Sequence, residues 1–176
     1  MATVHNLDVD ALRTTAAGAE ADPAAARQEV RFDGTWQTQE GAPQFVTQIP
    51  LPNGSSVAFA ADFPPPMGGR GQAPNPLAYC FWGGLACYAM SFAQEAALAG
   101  IELRALRATV TTDFNVGYAL GVGDAPPVER LDWELQVDAD ASPERLEELK
   151  VAADAHCPGA YCIRNPVDLR TSLATA

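Results

Sequence analysis

Between Leu77 and Ala93 the chain carries no charged residue, and Ser91 is the only clearly polar side chain. The segment lies at the short edge of the roughly 17–25 residues that a membrane-spanning helix needs. Gly83 and Gly84 lower its hydrophobicity, and Glu95 follows it closely. We therefore expect a buried helix of a soluble protein. A helix that is apolar on all sides must be covered on all sides, and a chain this short has few elements to cover it. The segment thus predicts a partner subunit.

Composition indicates a folded protein without affinity for nucleic acid. Apolar residues make up 48% and charged residues 19% of the 176 residues, which suits one domain with a real core. Acidic residues outnumber basic residues by 22 to 11. The resulting charge of -11 repels phosphate backbones and anionic lipid. We therefore expect no nucleic-acid partner and no membrane partner.

The first ten residues contain neither the basic stretch nor the apolar stretch of a signal peptide, so we expect a cytoplasmic protein. In that compartment thiols stay reduced, which argues against a structural disulfide framework. Inert core residues, metal ligands and redox groups all remain open as roles for the cysteines. The four cysteines are Cys80, Cys87, Cys157 and Cys162.

The hydrophobic period changes once in the first half of the chain. Residues 7–27 are rich in Ala and follow helical spacing, which predicts an N-terminal helical extension over residues 1–28. From residue 29 the period becomes two, as in strands. Short turns, among them Pro52-Asn53-Gly54, separate the alternating runs and predict an antiparallel meander. Its three strands are predicted at residues 30–36, 45–51 and 57–63.

The second half of the chain begins with a long helix. Asn75-Pro76 is typical of a helix start and Gly100 of a helix end, which predicts a central helix over residues 76–99. Hairpins with few helices between them indicate an α+β domain over residues 29–176. The remaining predicted elements are strands at 106–114 and 128–137, a helix from Ser142 to Cys157, and a last strand from Pro166 to Ser172.

Spacing alone assigns no chemistry to the cysteines. Cys80 and Cys87 lie about 10 Å apart along a helix axis, too far for a disulfide or for a shared zinc ion. The chain has no Cys-x-x-Cys pair and only two histidines, so we expect no metal and no cofactor. A cysteine in an apolar helix is most often an inert small hydrophobe, and that alternative stays open for each one.

Three features together are more informative than any single cysteine. Asn75-Pro76 opens the central helix, Cys87 follows within that helix, and Cys157 precedes Pro158 at the end of the next helix. This arrangement, with the order of strands and helices, resembles the OsmC/Ohr family, the osmotically induced and organic-hydroperoxide-resistance proteins. The resemblance covers roughly residues 29–172.

The resemblance implies both a fold and a reaction. The family fold is an intertwined homodimer whose antiparallel sheets wrap around two long central helices, which would cover the uncharged helix. The resemblance further implies that Cys87 attacks an organic hydroperoxide and becomes a sulfenic acid, which Cys157 resolves as a disulfide. An external dithiol would then reduce the disulfide. The implied function is a thiol-dependent peroxidase of the oxidative stress response.

The chain also departs from the family pattern. Peroxidase members carry a Glu directly after the Asn-Pro step, and here that position is Leu77. The Arg that this Glu orients has no clear match, so Arg31 and Arg70 are the candidates for stabilising a thiolate at Cys87, unless both are solvated surface residues. Without a nearby cation, burial would raise the pKa of the Cys87 thiol.

Two alternatives to a peroxidase therefore stay open. One is an OsmC-like protein that carries a thiol or persulfide, or binds a small ligand, without efficient peroxidase activity. The other is a structural module with inert cysteines. His156, next to Cys157, is either a base or an ordinary histidine at a helix end.

Overall fold

The fold is a mixed α+β architecture with antiparallel sheets, as the hydrophobic pattern predicts. The computed structural model describes residues 3–175. These residues form five α-helices, one short 3-10 helix and seven strands in three sheets. They divide into two compact units. The larger unit comprises residues 3–10 and 83–175, and the smaller unit comprises residues 11–82.

The chain begins with a small hairpin that the sequence pattern does not predict. Strands β1 (Thr3–Val4) and β2 (Leu7–Asp8) pair in antiparallel fashion. Helix α1 (Val9–Ala21) follows and is shorter than the helical stretch predicted over residues 7–27. It ends there because the Asp22 carboxylate accepts hydrogen bonds from the backbone N–H groups of Ala24 and Ala25, at 3.1 and 3.2 Å. Residues 23–26, which the helical spacing also covers, form a turn instead.

The smaller unit contains the predicted three-stranded meander. Its strands are β3 (Gly34–Trp36), β4 (Phe45–Pro50) and β5 (Ser56–Ala61), with β4 in the middle. Strand β3 is shorter than predicted, and Val30 and Phe32 lie outside it. Gly34 leaves room for the ring of Phe45, which a Cβ at this position would overlap.

The proline-rich loop after β5 is organised by one buried carboxylate. Asp62 is 3% exposed, and its Oδ2 accepts hydrogen bonds from the backbone N–H groups of Arg70 and Gln72 at 3.2 and 2.9 Å. Its own backbone N–H donates to the carbonyl of Pro74. The loop, which contains the 3-10 helix Pro65–Met67, is thereby fixed up to the start of the next helix.

Helix α2 (Pro76–Leu98) is the predicted central helix, and local signals define both of its ends. The Asn75 side chain accepts a hydrogen bond from the backbone N–H of Leu77 at 3.0 Å. After the last turn, Gly100 adopts a φ of 72°, a left-handed conformation that favours glycine. Of the helices in the part of the chain that the structure describes, none has both the length and the apolar character required to cross a bilayer.

Beyond α2, the larger unit continues with a second hairpin and with two helices that follow each other directly. Strands β6 (Leu103–Thr112) and β7 (Leu131–Ala139) form the hairpin, and the short helix α3 (Val116–Ala119) lies in the loop between them. Helix α4 (Pro143–His156) is the predicted second helix. The prediction of a last strand from Pro166 to Ser172 is wrong, because that segment forms no strand. Instead, helix α5 (Pro158–Arg164) follows α4 directly.

The hydrophobic core of the larger unit lies between α2, α4, α5 and the β6–β7 hairpin. Tyr88, Phe92 and Ala96 are spaced four residues apart and form one face of α2. This face packs with buried residues of α4, α5 and the junction between them: Leu149, Ala153, Cys157 and Ala160. Half-buried side chains of β6 and β7 cover the cluster from the sheet. The core thus contains one of the two cysteines singled out in the sequence.

Candidate active site

Cys87 on α2 and Cys157 between α4 and α5 form a close pair of free thiols. Their sulfurs lie 3.7 Å apart although the residues are 70 positions apart in the chain. Cys157 is 1% exposed, whereas Cys87 is half-buried. The separation is within the few ångströms expected for a resolving pair and exceeds a disulfide bond length of about 2.05 Å. A small movement of either side chain would allow a covalent bond.

The junction between α4 and α5 directs Cys157 inward. Its backbone is extended, with φ −72° and ψ 114°, and it serves as the last cap of α4 and the first cap of α5. Pro158 can occupy the first turn of α5 because it needs no N–H partner there. The Cys157 sulfur accepts a hydrogen bond from the backbone N–H of Ala160 at 3.3 Å. The Cys-Pro step therefore begins a helix as well as ending one.

Gly159 allows helix α5 to approach helix α2 at the cysteine pair. A Cβ at this position would lie 3.0 Å from the Cβ and 3.3 Å from the sulfur of Cys87. The backbone of Gly159 also acts on the Cys87 thiol and lowers its pKa. Sequence reasoning does not single out Gly159, although its position directly after Cys-Pro could have suggested a tight packing site.

The surroundings of Cys87 raise the pKa of its thiol and so favour the protonated form. Burial is the largest cause and raises the pKa of Cys87 above its ordinary value. The backbone of Gly159 acts in the opposite direction, and Cys157 and Cys162 raise the pKa further. The net shift is upward, as expected where burial of a thiol is the largest influence.

A polar network connects the helices around the pair. The Tyr88 hydroxyl donates to the Asp154 carboxylate at 3.0 Å, and Arg164 and Lys150 approach the same carboxylate at 3.0 and 3.3 Å. Burial would raise the pKa of Asp154, but these hydrogen bonds outweigh it and lower the pKa. Burial and the bond to Asp154 raise the pKa of Tyr88 to about 12. The network joins α2, α4 and α5 on either side of Cys157, and no sequence spacing indicates it.

The two arginines predicted for the site and the two remaining cysteines are all exposed. Arg31 and Arg70 belong to the smaller unit, where they form exposed ion pairs with Asp33 and Glu40. Cys80 also belongs to the smaller unit and is exposed, as is Cys162 on α5. Within residues 3–175, no group of three or more His, Cys, Asp or Glu side chains could hold a metal ion.

His156 and the aromatic residues of α2 make contacts of their own. The Nδ1 atom of His156 lies 2.8 Å from the Glu95 carboxylate, which ties the end of α4 to α2. Tyr88 packs against Trp133 with ring centroids 5.3 Å apart and belongs to the core. Tyr79 packs against Phe59 and donates to the carbonyl of Ala60. These contacts are structural.

A cavity of about 450 Å³ opens beside Cys87 within the larger unit. Sequence reasoning misses it, because part of its wall comes from the unpredicted hairpin. The lining residues include His5, Asn6 and Leu7 of the hairpin, with Cys87, Met90 and Pro158. None of the residues around this cavity carries a carboxylate, an ammonium or a guanidinium group.

Comparisons with known proteins agree with the α+β fold. A family model described as OsmC-like protein matches residues 69–172. An OsmC-like protein from Mycoplasma pneumoniae superposes with a TM-score of 0.56 at 14% identity, covering 78% of this chain and 89% of that one. An organic hydroperoxide resistance protein OsmC from Legionella pneumophila gives a TM-score of 0.52 at 19% identity, covering 81% and 95%. Comparison with curated protein sequences finds no match.

Proposed function

Because the chain belongs to the OsmC-like protein family, we propose that it is a thiol-dependent peroxidase that reduces organic hydroperoxides. In this proposal a sulfenate formed at Cys87 is resolved by Cys157. The observation that carries it is the 3.7 Å separation of the two free sulfurs. A fold shared with an organic hydroperoxide resistance protein supports the substrate class.

The proposed reaction balances with a hydroperoxide and an external dithiol as the only co-reactants. The Cys87 thiolate attacks one peroxide oxygen, the O–O bond breaks, and the alkoxide leaves and takes a proton to give the alcohol. The thiol of Cys157 then attacks the sulfenic sulfur of Cys87, water leaves, and a disulfide forms. An external dithiol reduces this disulfide by exchange and is itself oxidised. The close second thiol limits over-oxidation of Cys87.

We further propose that the active protein is an intertwined homodimer. Among residues 11–82, Asp62 is the only buried residue, so the smaller unit has no apolar core of its own. Its sheet and the first turns of α2 leave large apolar side chains exposed, which a second copy would cover. In this proposal residues 29–176 are the OsmC-like domain, residues 1–28 are an extension, and the protein is cytoplasmic.

Two observations favour a second candidate function. The raised pKa of Cys87 leaves little thiolate at neutral pH, and Leu77 occupies the position of the Glu in peroxidase members. An OsmC-like protein that carries a thiol or persulfide, or binds a small ligand, would tolerate both features. A cation beside Cys87 would lower the pKa of its thiol and so favour the peroxidase reaction. Arg31 and Arg70 remain the candidates to supply that cation.

Stoichiometric titration with cumene hydroperoxide, followed by thiol counting and peptide mass spectrometry, tests the proposal. The reduced protein should consume the hydroperoxide and lose the thiols of Cys87 and Cys157 together as one disulfide. Cys87→Ser should abolish consumption. Cys157→Ser should allow a single slow turnover that ends in sulfenic or over-oxidised Cys87.

Cys162→Ser is the matched control for these two variants. Cys162 is also a free thiol on the same helical corner, but it is exposed. Its replacement should remove one thiol from the starting count but leave the stoichiometry of hydroperoxide consumption unchanged. Consumption that persists in Cys87→Ser would contradict the proposal. Absence of any consumption, with Cys87 unreactive toward iodoacetamide at pH 6, would favour the second candidate function.

A further inference from the structure

His5, a residue in the strained turn of the N-terminal hairpin, anchors this hairpin beside the cysteine site. His5 and Asn6 are the two turn residues between β1 and β2, and they have φ values of 32° and 72°. A two-residue turn with both residues in the left-handed region matches the twist of the two strands that it joins. Glycine normally occupies at least one of these two turn positions. A left-handed histidine is uncommon and persists where surrounding contacts fix it.

Those contacts are made by both nitrogens of the His5 ring. The backbone N–H of Leu103, at the start of β6, donates to Nδ1 at 3.3 Å. Nδ1 therefore carries no proton, and Nε2–H donates to the carbonyl of Ala93 on α2 at 2.8 Å. The neutral ring thus joins the hairpin to α2 and β6 across 88 and 98 positions of sequence.

The hairpin held in this way forms one wall of the cavity beside Cys87. His5, Asn6 and Leu7 face α2 across the cavity, and Cys87 lies on the α2 side. At about 450 Å³ the cavity falls within the range of about 300–1,000 Å³ that is typical of small-molecule sites. Its lining holds no carboxylate, ammonium or guanidinium group, and Leu7, Met90 and Pro158 supply apolar side chains beside Cys87. It therefore suits the apolar portion of an uncharged organic hydroperoxide.

We propose that the N-terminal hairpin determines the substrate specificity of Cys87, with His5 as its positioning residue. The bound group is the apolar alkyl or aryl portion of an organic hydroperoxide, and the hairpin forms the wall against which it packs. This inference rests on the proposed peroxidase function. It assigns a role to residues 3–8, which lie outside the residues 69–172 matched by the family model.

The test compares His5→Gly with His5→Gln and with a control in the same hairpin. Glycine accepts the left-handed backbone but removes both ring hydrogen bonds. Glutamine can still accept from Leu103 and donate to Ala93. Thr3→Ala changes an exposed residue of β1 that does not line the cavity. All proteins are full-length and are assayed with cumene hydroperoxide and with hydrogen peroxide.

His5→Gly should lower kcat/KM for cumene hydroperoxide relative to hydrogen peroxide by about tenfold, as expected when an apolar contact to the substrate is lost. The loss should appear mainly in KM. His5→Gln and Thr3→Ala should keep the wild-type ratio. An equal fall with both peroxides, or a His5→Gln variant that behaves like His5→Gly, would overturn the inference.

A second measurement separates this inference from the proposed function. Site-resolved mass spectrometry can follow alkylation of Cys87 by small iodoacetamide and by bulky N-(1-pyrenyl)maleimide. Loss of the wall in His5→Gly should raise the rate with the bulky reagent relative to the small one. This result would support the wall even if no variant consumed a hydroperoxide. An unchanged rate ratio would overturn it even if the peroxidase reaction were found.

Discussion

A side chain at position 159 would contact Cys87, because the backbone of α5 lies directly against α2 at the cysteine pair. A Cβ there would lie 3.0 Å from the Cβ and 3.3 Å from the sulfur of Cys87. Gly159 is not among the residues with positive φ, so alanine would be permitted by the backbone and excluded only by packing. The distance between the sulfurs of Cys87 and Cys157 therefore depends on the absence of one methyl group.

We accordingly expect Gly159→Ala to separate the thiols. Overpacking of this kind costs about 1–3 kcal/mol, so the urea midpoint should fall. Disulfide formation after hydroperoxide treatment should slow, and more Cys87 should be over-oxidised. Stopped-flow thiol loss and peptide mass spectrometry measure the two effects.

Gly18→Ala is the control for this prediction. Gly18 lies in α1, and a Cβ there would have no neighbour within 4 Å. Alanine should raise stability by about 0.5–1 kcal/mol, the usual gain inside a helix, with unchanged thiol chemistry. A Gly159→Ala protein that closes the disulfide at the wild-type rate would contradict the steric argument.

At the scale of elements, the sequence predicts those parts whose signals are local. Both ends of helix α2 are predictable because Asn75 and Gly100 act within one turn of the helix. The β4–β5 hairpin is predictable because alternation and a Pro-Asn-Gly turn are both short-range signals. Helix α5 is missed when Pro158 is interpreted only as the end of α4, although proline is also typical of a helix start.

Elements that depend on distant contacts cannot be predicted in this way. The β1–β2 hairpin has two-residue strands, and its turn is held by His5 through bonds to α2 and β6. In the candidate site, the frame of Cys87 and Cys157 comes from a family resemblance, whereas the Gly159 contact and the Asp154 network depend on how α2, α4 and α5 pack. No periodicity contains that information.

The Asp154 network gives a prediction about how these helices are held. Tyr88→Phe removes the hydroxyl that donates from α2 to Asp154 on α4, while Arg164 and Lys150 still satisfy the carboxylate. A hydrogen bond to a charged group contributes about 1.5–3 kcal/mol, so the free energy of unfolding should fall by about that amount. Urea denaturation at neutral pH measures the loss.

The difference in the free energy of unfolding between the wild type and Tyr88→Phe should also depend on pH. The pKa of Tyr88 is raised to about 12 in the folded protein, above its ordinary value of 10. The contribution of the Tyr88 hydroxyl to the free energy of unfolding is therefore fully present below pH 10 and is lost as the pH rises toward 12. Tyr161→Phe is the control, because Tyr161 is 63% exposed. A Tyr88→Phe protein as stable as the wild type would contradict the role of the network.

At the scale of the whole molecule, apolar side chains are distributed unevenly. The larger unit has a packed cluster around Phe92, which is 2% exposed. The smaller unit has no such cluster among its described residues, and several of its largest apolar side chains are more than a third exposed. They are Phe32, Trp36, Phe45, Leu51, Val57, Phe63 and Trp82. Exposed apolar side chains gathered in one part of a protein are typical of an interaction surface.

This distribution predicts an obligate homodimer in which a second copy covers the apolar surface of the smaller unit. Sedimentation equilibrium at micromolar concentration should give about twice the chain mass of 18.6 kDa. The apparent unfolding midpoint should rise with protein concentration, because association stabilises only the folded state.

Trp82→Glu should dissociate or unfold the protein, because Trp82 is 59% exposed on α2. Leu173→Glu, at a residue that is 92% exposed near the end of the chain, should leave the mass unchanged. A folded monomer of 18.6 kDa in the wild type would contradict the dimer.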